Sequence, residues 1–435
     1  MITVEEYRQR RERFAQGMSP NSIAIIPGAS EVLRSGDSHY RFRQQSDFYY
    51  LTGFEEPDAL LIIMATEKPV SILFNRSRDL ASEQWTGRRL GQEEAPKKLL
   101  VDFAYPIETF EERIPELLAD KTMIYYHLGQ YPRWDNAVIS GWEQVKKLYR
   151  KGVTAPQGML EISPIVSEMR LFKSKAEIAL MKQAAAISVA AHKQAMRHCP
   201  KAENECELEA VLIYEFTRQG CRYPAYEPIV GSGENATVLH YGSNNQSIDK
   251  KGLVLIDAGG EYQNYAADIT RTFPASGKFS PEQKAIYEWV LKAQKAGVAL
   301  IRPGVLWHEI QQTMVQILTE GLVSLGLLTG SVESLITTQA YRKYYMHNSG
   351  HWLGIDVHDC GAYKRDNQWR PLQSGMVLTV EPGLYVHPEL DDVDDRWRGI
   401  GVRIEDDILV TETGHLNLTA ELPVEVEEIE ALMRG

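Results

Sequence analysis

Four stretches of this 435-residue chain place carboxylates inside apolar, strand-like sequence. They are Leu253-Val-Leu-Ile-Asp257, Ala266-Ala-Asp268-Ile-Thr270, Val377-Leu-Thr-Val-Glu381-Pro382 and Val402-Arg403-Ile-Glu405-Asp-Asp-Ile-Leu-Val410. One acid ending a strand is commonplace, but four are not, because a buried unpaired carboxylate costs several kcal/mol. Such a group stays ionised only around compensating cations. Asp257 and Asp268 flank Ala258-Gly259-Gly260 and Tyr262-Gln263-Asn264, which read as the turn of a hairpin. The pattern predicts that the two aspartates lie opposite each other on one face. Arg403 and Glu405 are two apart, so a single strand would put them on a common face, with the guanidinium balancing nearby acids.

Imidazoles accompany the acids. His347 and His351 bracket Asn348-Ser349-Gly350, His358 precedes Asp359, and His240 stands alone in Val238-Leu-His240-Tyr241. The His347/His351 spacing is that of HExxH, but no Glu follows His347 and Gly350 weakens a helix, so a zincin is rejected. Gly231-Ser-Gly233-Glu-Asn-Ala236 fits GxGxxA, yet the following Thr-Val-Leu-His-Tyr reads as a strand, which removes the strand-turn-helix that a dinucleotide site needs. No GxSxG elbow is present, and Cys360 near His358 is weak support for a thiol nucleophile. A set of Asp, Asp, His, Glu and Glu suits two divalent ions, whose combined charge of about +4 matches four carboxylates. Mostly oxygen ligands with one imidazole favour ions like Mn²⁺ over a thiolate-type zinc site. A water bridging them would lose a proton near neutral pH and become a hydroxide nucleophile, while spare histidines stabilise an oxyanion or move protons.

These residues resemble the metallopeptidases of the pita-bread fold, the family of methionine aminopeptidase, prolidase, creatinase and aminopeptidase P. The resemblance runs through LIDAGGEYQNYAADITRTFP, HNSGHWLGIDVHD, TVEPGLY and GIGVRIEDDILVTETG. Within the family the chain is most similar to the bacterial aminopeptidases P, through RQQSDFYYLTGFEEPDALL, WTGRRLG and MRLFKSKAEI as well. The resemblance implies hydrolysis of the bond between an N-terminal residue and a following proline. It implies Asp257 on one metal, Asp268 and Glu405 bridging both, and His351 and Glu381 on the other, with Glu381 also taking a proton. His240, His347 and His358 would line the substrate site, His358 stabilising the tetrahedral intermediate. Asp37 and Arg403 match residues of a proton relay with His358, and Tyr226 and Tyr385 match positions close to the site. Trp85 matches a residue that reaches a neighbouring subunit's site, implying a homo-oligomer, a tetramer or a dimer. Prolidase, acting on Xaa-Pro dipeptides, and a non-enzymatic peptide-binding protein are the competing readings on the same fold.

The elements that must position these residues fall into two textures. Residues 1–170 alternate short strands and helices, a mixed α/β domain of the creatinase type by resemblance. Strands are predicted at Ser22–Ile26, Phe48–Leu51, Ala59–Met64, Val70–Phe74 and Met123–His127. The turn-rich stretch Val153–Pro164 reads as a linker. Residues 171–435 form the catalytic, pita-bread part. Ser174-Lys-Ala-Glu177 has capping-box spacing and opens a helix to about His198. Further helices are predicted over Glu205–Gln219, from Ser280-Pro281 to before Arg302, and over Leu306–Leu325. Each pair leads into a strand-rich stretch, at 221–275 and 341–412, so the order helix, helix, strands occurs twice.

Composition sets the outer bounds. Hydrophobic residues are 43% and charged residues 24%, with 32 Gly and 20 Pro, which excludes whole-chain disorder. The longest apolar run, Ala59–Ala65, is far short of the ~18 residues of a membrane span. A formal net charge of −12 leaves no basic footprint for nucleic acid. Four cysteines without a CxxC pair read as reduced thiols, and the charged N-terminus, an amphipathic helix in prospect, lacks a signal-peptide core. Together they point to a cytoplasmic protein.

Overall fold

A computed structural model describes residues 1–434. The chain divides into two compact units, Ile2–Arg170 and the residues from Leu171 onward, with Met1 grouped with the second. The first is built on a six-stranded mixed sheet in the order Phe103–Pro106, Val70–Asn75, Leu60–Met64, Ile23–Pro27, Ile124–Tyr126, Met159–Leu160. Its central strand IAIIP is buried along its whole length, as a strand with both faces covered must be. Ile23, Ile25, Leu60, Ile62, Ile72 and Phe74 share a core with Phe110, Ile114, Leu118, Trp134 and Val138 of two helices, Phe110–Leu118 and Pro132–Lys146. Helices Val4–Gln16, Ser46–Thr52 and Gly91–Leu99 also pack on the strands of this sheet.

Two sequence expectations fail in this unit. Phe48–Leu51 is not a strand but part of the helix Ser46–Thr52. The Gln45 side chain accepts from the Phe48 N–H as an N-cap, and Gly53 closes the helix in the left-handed conformation. Its apolar run is continuous because all but one of the seven residues are buried, which hides the helical period. Val153–Pro164 is not a free linker either. Met159–Leu160 adds an edge strand parallel to Ile124–Tyr126, and helix Ser163–Leu171 begins before the stretch ends.

In the second unit the predicted capping box forms, and a second one stands at the other predicted helix start. Ser174 and Glu177 cap the helix Lys175–His198, and Ser280 and Gln283 cap Pro281–Leu300. Each packs on its successor, Glu205–Arg218 and Trp307–Ser324 respectively. The alanine-rich face of Lys175–His198 buries Leu180, Ala184, Ser188, Ala191 and Ala195 at helical spacing. After each pair comes a three-stranded antiparallel sheet. The first is Ile229–Ser232, Leu253–Asp257, Thr270–Pro274, and the second Val377–Val380, Asp406–Val410, His415–Asn417. The segment after Ser232 is a 3-10 helix, Gly233–Thr237, followed by turn, and not the strand expected at Thr237–Tyr241.

The strands that carry the acids are two bent antiparallel ribbons. In the first, Asp257 pairs with Thr270, and beyond a bend Glu261 pairs with Ala266 in the same register. The turn is Gln263-Asn264, both at positive φ (49° and 64°), the signature of a two-residue hairpin loop. Asp257 therefore faces Thr270 and not Asp268, which stands diagonally two residues away. The expectation of directly opposed aspartates misplaced the turn by one register step. At the bend a Cβ on Gly259 would lie 1.7 Å from the Ala267 carbonyl oxygen, so only glycine fits.

In the second ribbon Val380 pairs with Asp406, and after an interruption Gly383 pairs with Arg403. The expected single strand through Arg403 and Glu405 is thus two strands in different sheets. The Glu405 N–H leaves the ladder to bond the Thr270 carbonyl (3.0 Å), and the Ile404 N–H bonds the Pro382 carbonyl (3.3 Å). The register is the same on both sides of the break, so Glu381 and Glu405 oppose each other across it.

Candidate metal centre

The two bends meet, and the acids converge on one another. Ligand atoms of Asp268, His351 and Glu405 all lie within 4.8 Å of each other. His351 Nε2 is 3.3 Å from Asp268 Oδ2 and 3.7 Å from Glu381 Oε1. Tyr226 joins the pair in the first ribbon, its hydroxyl 2.5 Å from Oδ1 of both Asp257 and Asp268. From the second ribbon Arg403 reaches across to Asp257 Oδ2 at 2.6 Å. The acid–acid and acid–imidazole convergence expected from sequence is therefore present at Asp257, Asp268, His351, Glu381 and Glu405.

The electrostatics of this group are those of a cation site. Burial pushes the Asp257 carboxyl up despite Arg403, and pushes Glu381 up to about 7 despite His351. Glu405 is driven far above the carboxylate range by burial and then by Asp268, Glu381 and Asp257. Burial opposes ionisation of Asp268 too, but His351 and Tyr226 hold its carboxyl below the usual value. His351 is lifted to about 9, since Asp268 and Glu381 outweigh burial. Like charges this close destabilise one another unless a cation stands among them. The imidazole is oriented for that cation. A carbonyl only accepts, so His351 Nδ1 must donate to Trp352 O (3.0 Å), which makes Nε2 the atom that faces the acids and whose proton a cation would replace. Oxygen donors with a tautomer-fixed imidazole fit a divalent ion.

Around this group the remaining predicted residues fall into sets. His347 donates from Nδ1 to its neighbour's carbonyl, Asn348 O (2.7 Å), so its Nε2 accepts from the Tyr385 hydroxyl (2.8 Å). Burial and then Arg403 press its pKa down to about 4, keeping the ring neutral. Tyr385 in turn accepts from Arg403 Nη1 at 3.0 Å. The path from Arg403 thus runs through Tyr385 to His347; among the described residues no hydrogen bond joins Arg403 to His358. His358 is exposed and sits edge-to-face on His351, ring centroids 4.2 Å apart. His240 is exposed in the turn after Gly233–Thr237. Asp37 and Trp85 belong to the N-terminal unit. Asp37 lies in the turn of the exposed hairpin Leu33–Ser35/Ser38–His39, and Trp85 is 87% exposed on helix Leu80–Thr86, which buries no residue.

Sequence reasoning missed the threonines. The Thr270 hydroxyl donates to Glu405 Oε2 (2.6 Å) and accepts from Arg403 Nε (3.1 Å). The Thr379 hydroxyl accepts from the His351 N–H (3.1 Å) and lies 3.5 Å from Glu381 Oε1. Each stands two residues before or after an acid on the same strand face, a period that was available in the sequence. Asp407 is a further such residue, its Oδ2 accepting from the Asp268 N–H (3.1 Å).

A buried, two-ribbon carboxylate site behind paired helices defines a metallohydrolase of the pita-bread type, and comparison with known proteins makes the class explicit. Residues 179–412 match metallopeptidase family M24 and residues 7–125 match the aminopeptidase P N-terminal domain. The chain belongs to metallopeptidase family M24 and carries the bacterial aminopeptidase P architecture, a mixed α/β domain before a pita-bread domain. It is 48% identical to the Xaa-Pro aminopeptidase of Escherichia coli (strain K12), over 99% of this chain and 98% of that protein. Proline aminopeptidase P II from Yersinia pestis superposes with a TM-score of 0.96 at 49% identity, covering 100% of both chains. A zinc-substituted E. coli aminopeptidase P in complex with product superposes with a TM-score of 0.97 at 48% identity, over 100% of this chain and 98% of that one.

Proposed function

We propose that this chain is an Xaa-Pro aminopeptidase, releasing the N-terminal residue from peptides whose second residue is proline. The observation that carries the reading is the buried convergence of Asp268, His351 and Glu405 in a chain of this family. In this reading two divalent ions, of which Mn²⁺ suits the oxygen-rich donors, would be held by five side chains, Asp257, Asp268, His351, Glu381 and Glu405. When bound, the ions would acidify a water and polarise the scissile carbonyl.

The chain's own groups do the rest. Glu381 takes a proton at a carboxylate oxygen, aided by its partial burial and by Thr379 beside it. His351 keeps Nε2 toward the acids because Trp352 O holds the Nδ1 proton. His358, at the exposed side of His351, donates to the oxyanion, and His240 and His347 line the substrate path. His347 Nε2 is engaged by the Tyr385 hydroxyl, which Arg403 holds in turn, so its neutral ring is fixed in orientation. Arg403 fixes Asp257, and Tyr226 fixes the spacing of Asp257 and Asp268. The same reading gives Asp37 a part in proton transfer, puts Trp85 at the site of a second copy in a homotetramer or dimer, and places the enzyme in the cytoplasm. Among the described residues no helix is long and apolar enough to cross a membrane.

The test is hydrolysis of an Xaa-Pro-Xaa tripeptide and an Xaa-Pro dipeptide with Mn²⁺, beside a chelated control. Metal-dependent release from the tripeptide is expected. Cleavage of the dipeptide alone would replace the assignment with prolidase, and cleavage of neither would return it to a binding protein.

A further inference from the structure

A second charge pair lies behind the site and outside the ligand set. Lys173 Nζ and Asp359 Oδ2 are 3.0 Å apart, and both side chains are 1% exposed. Taking two charges out of water is costly, and such a pair is weak evidence for stability in itself. Its place in the fold gives it another use.

Asp359 follows His358 directly. Its N–H donates to Trp352 O (2.9 Å), the same carbonyl that accepts the Nδ1 proton of His351 (3.0 Å). The carboxylate also packs on Gly354, where a Cβ would stand 2.1 Å from Asp359 Oδ2 and 3.0 Å from Lys173 Cε. The Gly354 carbonyl accepts from the Ala266 N–H (2.8 Å), two residues before Asp268. At its other end Lys173 is fixed by its backbone N–H to Gly375 O (2.9 Å), ahead of the strand Val377–Val380 that leads to Glu381. One buried pair therefore abuts the segments that present His351, His358, Asp268 and Glu381.

We propose that Lys173 and Asp359 are positioning residues of the metal centre: their ion pair sets the loop 352–359, and through the Trp352 carbonyl it fixes the ring of His351 with Nε2 toward the acids. This rests on the metallopeptidase reading above. Outer partners that orient metal-ligating histidines are worth about 10–100-fold in metal affinity or activity.

The test uses the full chain. Lys173→Met/Asp359→Leu removes both charges and keeps apolar volume, which a buried pair tolerates well, and Asp359→Asn keeps shape alone. Mn²⁺ affinity by titration calorimetry, the visible spectrum of the Co²⁺-loaded protein, and kcat and KM on an Xaa-Pro-Xaa tripeptide are measured, with the melting temperature in chelator as the control for folding. In whichever variant keeps the chelated melting temperature, Mn²⁺ affinity is expected to fall about tenfold or more. The Co²⁺ spectrum should shift, and kcat should fall about as much while KM stays within about threefold. Unchanged affinity, spectrum and kcat in that variant would overturn the proposal. Wild-type protein that bound Mn²⁺ but cleaved nothing would sink the assigned activity while the affinity comparison still decided the role of the pair. Wild-type protein that bound no Mn²⁺ would sink both.

Discussion

The two bent ribbons of the second unit solve one problem in two ways. Ribbon 253–274 turns on two residues, Gln263-Asn264, and offsets its aspartates diagonally. Ribbon 377–410 is joined by the longer stretch 387–399 and sets Glu381 and Glu405 opposite each other at its break. Each bend is held from behind by a helix of its own half. In the first, His192 of Lys175–His198 bonds Ala258 O at 2.8 Å. In the second, Gln294 of Pro281–Leu300 bonds Asp406 Oδ2 at 2.6 Å. The difference teaches that the acids are placed by where a ribbon leaves its ladder, and not by strand pairing itself. At the bends backbone donors turn to the other ribbon, as Glu405 N–H does to Thr270 O.

The largest test of that view removes one acid from each ribbon. Asp268→Ala and Glu405→Ala should each lower kcat/KM on an Xaa-Pro-Xaa tripeptide by on the order of a thousandfold, the several kcal/mol that a metal supplies to the transition state. Mn²⁺ titration should show weakened binding in both. Near-normal turnover in either would mean that the two ribbons do not share one centre. Next comes the link between them. Arg403→Ala leaves Asp257 buried without its cation, which costs about 3–5 kcal/mol and should appear in denaturant unfolding of the metal-free protein. A loss under about 1 kcal/mol would show that the ribbons hold their places without this bridge.

Smaller effects separate the ribbons. Thr270→Val and Thr379→Val each delete one hydroxyl beside an acid, and each should reduce kcat/KM about 10–100-fold with unfolding midpoints little moved. Thr270 should show the larger loss, because its 2.6 Å bond to Glu405 is shorter than the 3.5 Å contact of Thr379 with Glu381. The helix braces differ in pH dependence. Burial holds the pKa of His192 down to about 4, against an ordinary 6.5, so the ring is neutral in the folded state. Its stabilisation is present above about pH 6.5 and is lost as pH falls toward 4, because the unfolded chain takes up the proton first. His192→Gln should flatten stability in that window, whereas Gln294→Leu should lower it by about 1–3 kcal/mol with no such slope, having left Asp406 Oδ2 without its donor while Arg271 and Thr419 still hold Oδ1.

Much of this site was legible because its chemistry conflicts with its surroundings. Asp257, Asp268, Glu381 and Glu405 stand out as acids in apolar runs, and Ser174 with its capping box and Ser280 with Pro281 announce their helices. The bends were not legible. Alternation runs only from Val402 to Glu405 and then gives way to Asp406-Asp407 and the apolar run Ile408–Val410, a loss of period that does not by itself say that Glu405 leaves one sheet for another. The cause is tertiary, a hydrogen bond to Thr270 far away in sequence. The helix Ser46–Thr52 escaped for a related reason. Burial of nearly every residue erases the polar face that a period needs, and its cap is a glutamine, an uncommon choice.

The smallest effect tests the tight turn of the first ribbon. Gln263 sits in the left-handed region at φ 49°, where a residue other than Gly, Asn or Asp is held against about 1–2 kcal/mol of steric cost. Asn is tolerated there through local hydrogen bonding and is favoured at the first position of such two-residue loops. Gln263→Asn should therefore stabilise the chain by about 0.5 kcal/mol, a rise of roughly one or two degrees in melting temperature. Hydrolysis should not change, since the substitution keeps the two-residue loop and with it the register that sets Asp257 against Thr270. Gln263→Pro, by contrast, cannot adopt a positive φ and should loosen that register. If Gln263→Asn altered kcat, the turn would be transmitting its geometry to Asp268, and the bend at Gly259 would not isolate the acids from the loop beyond it.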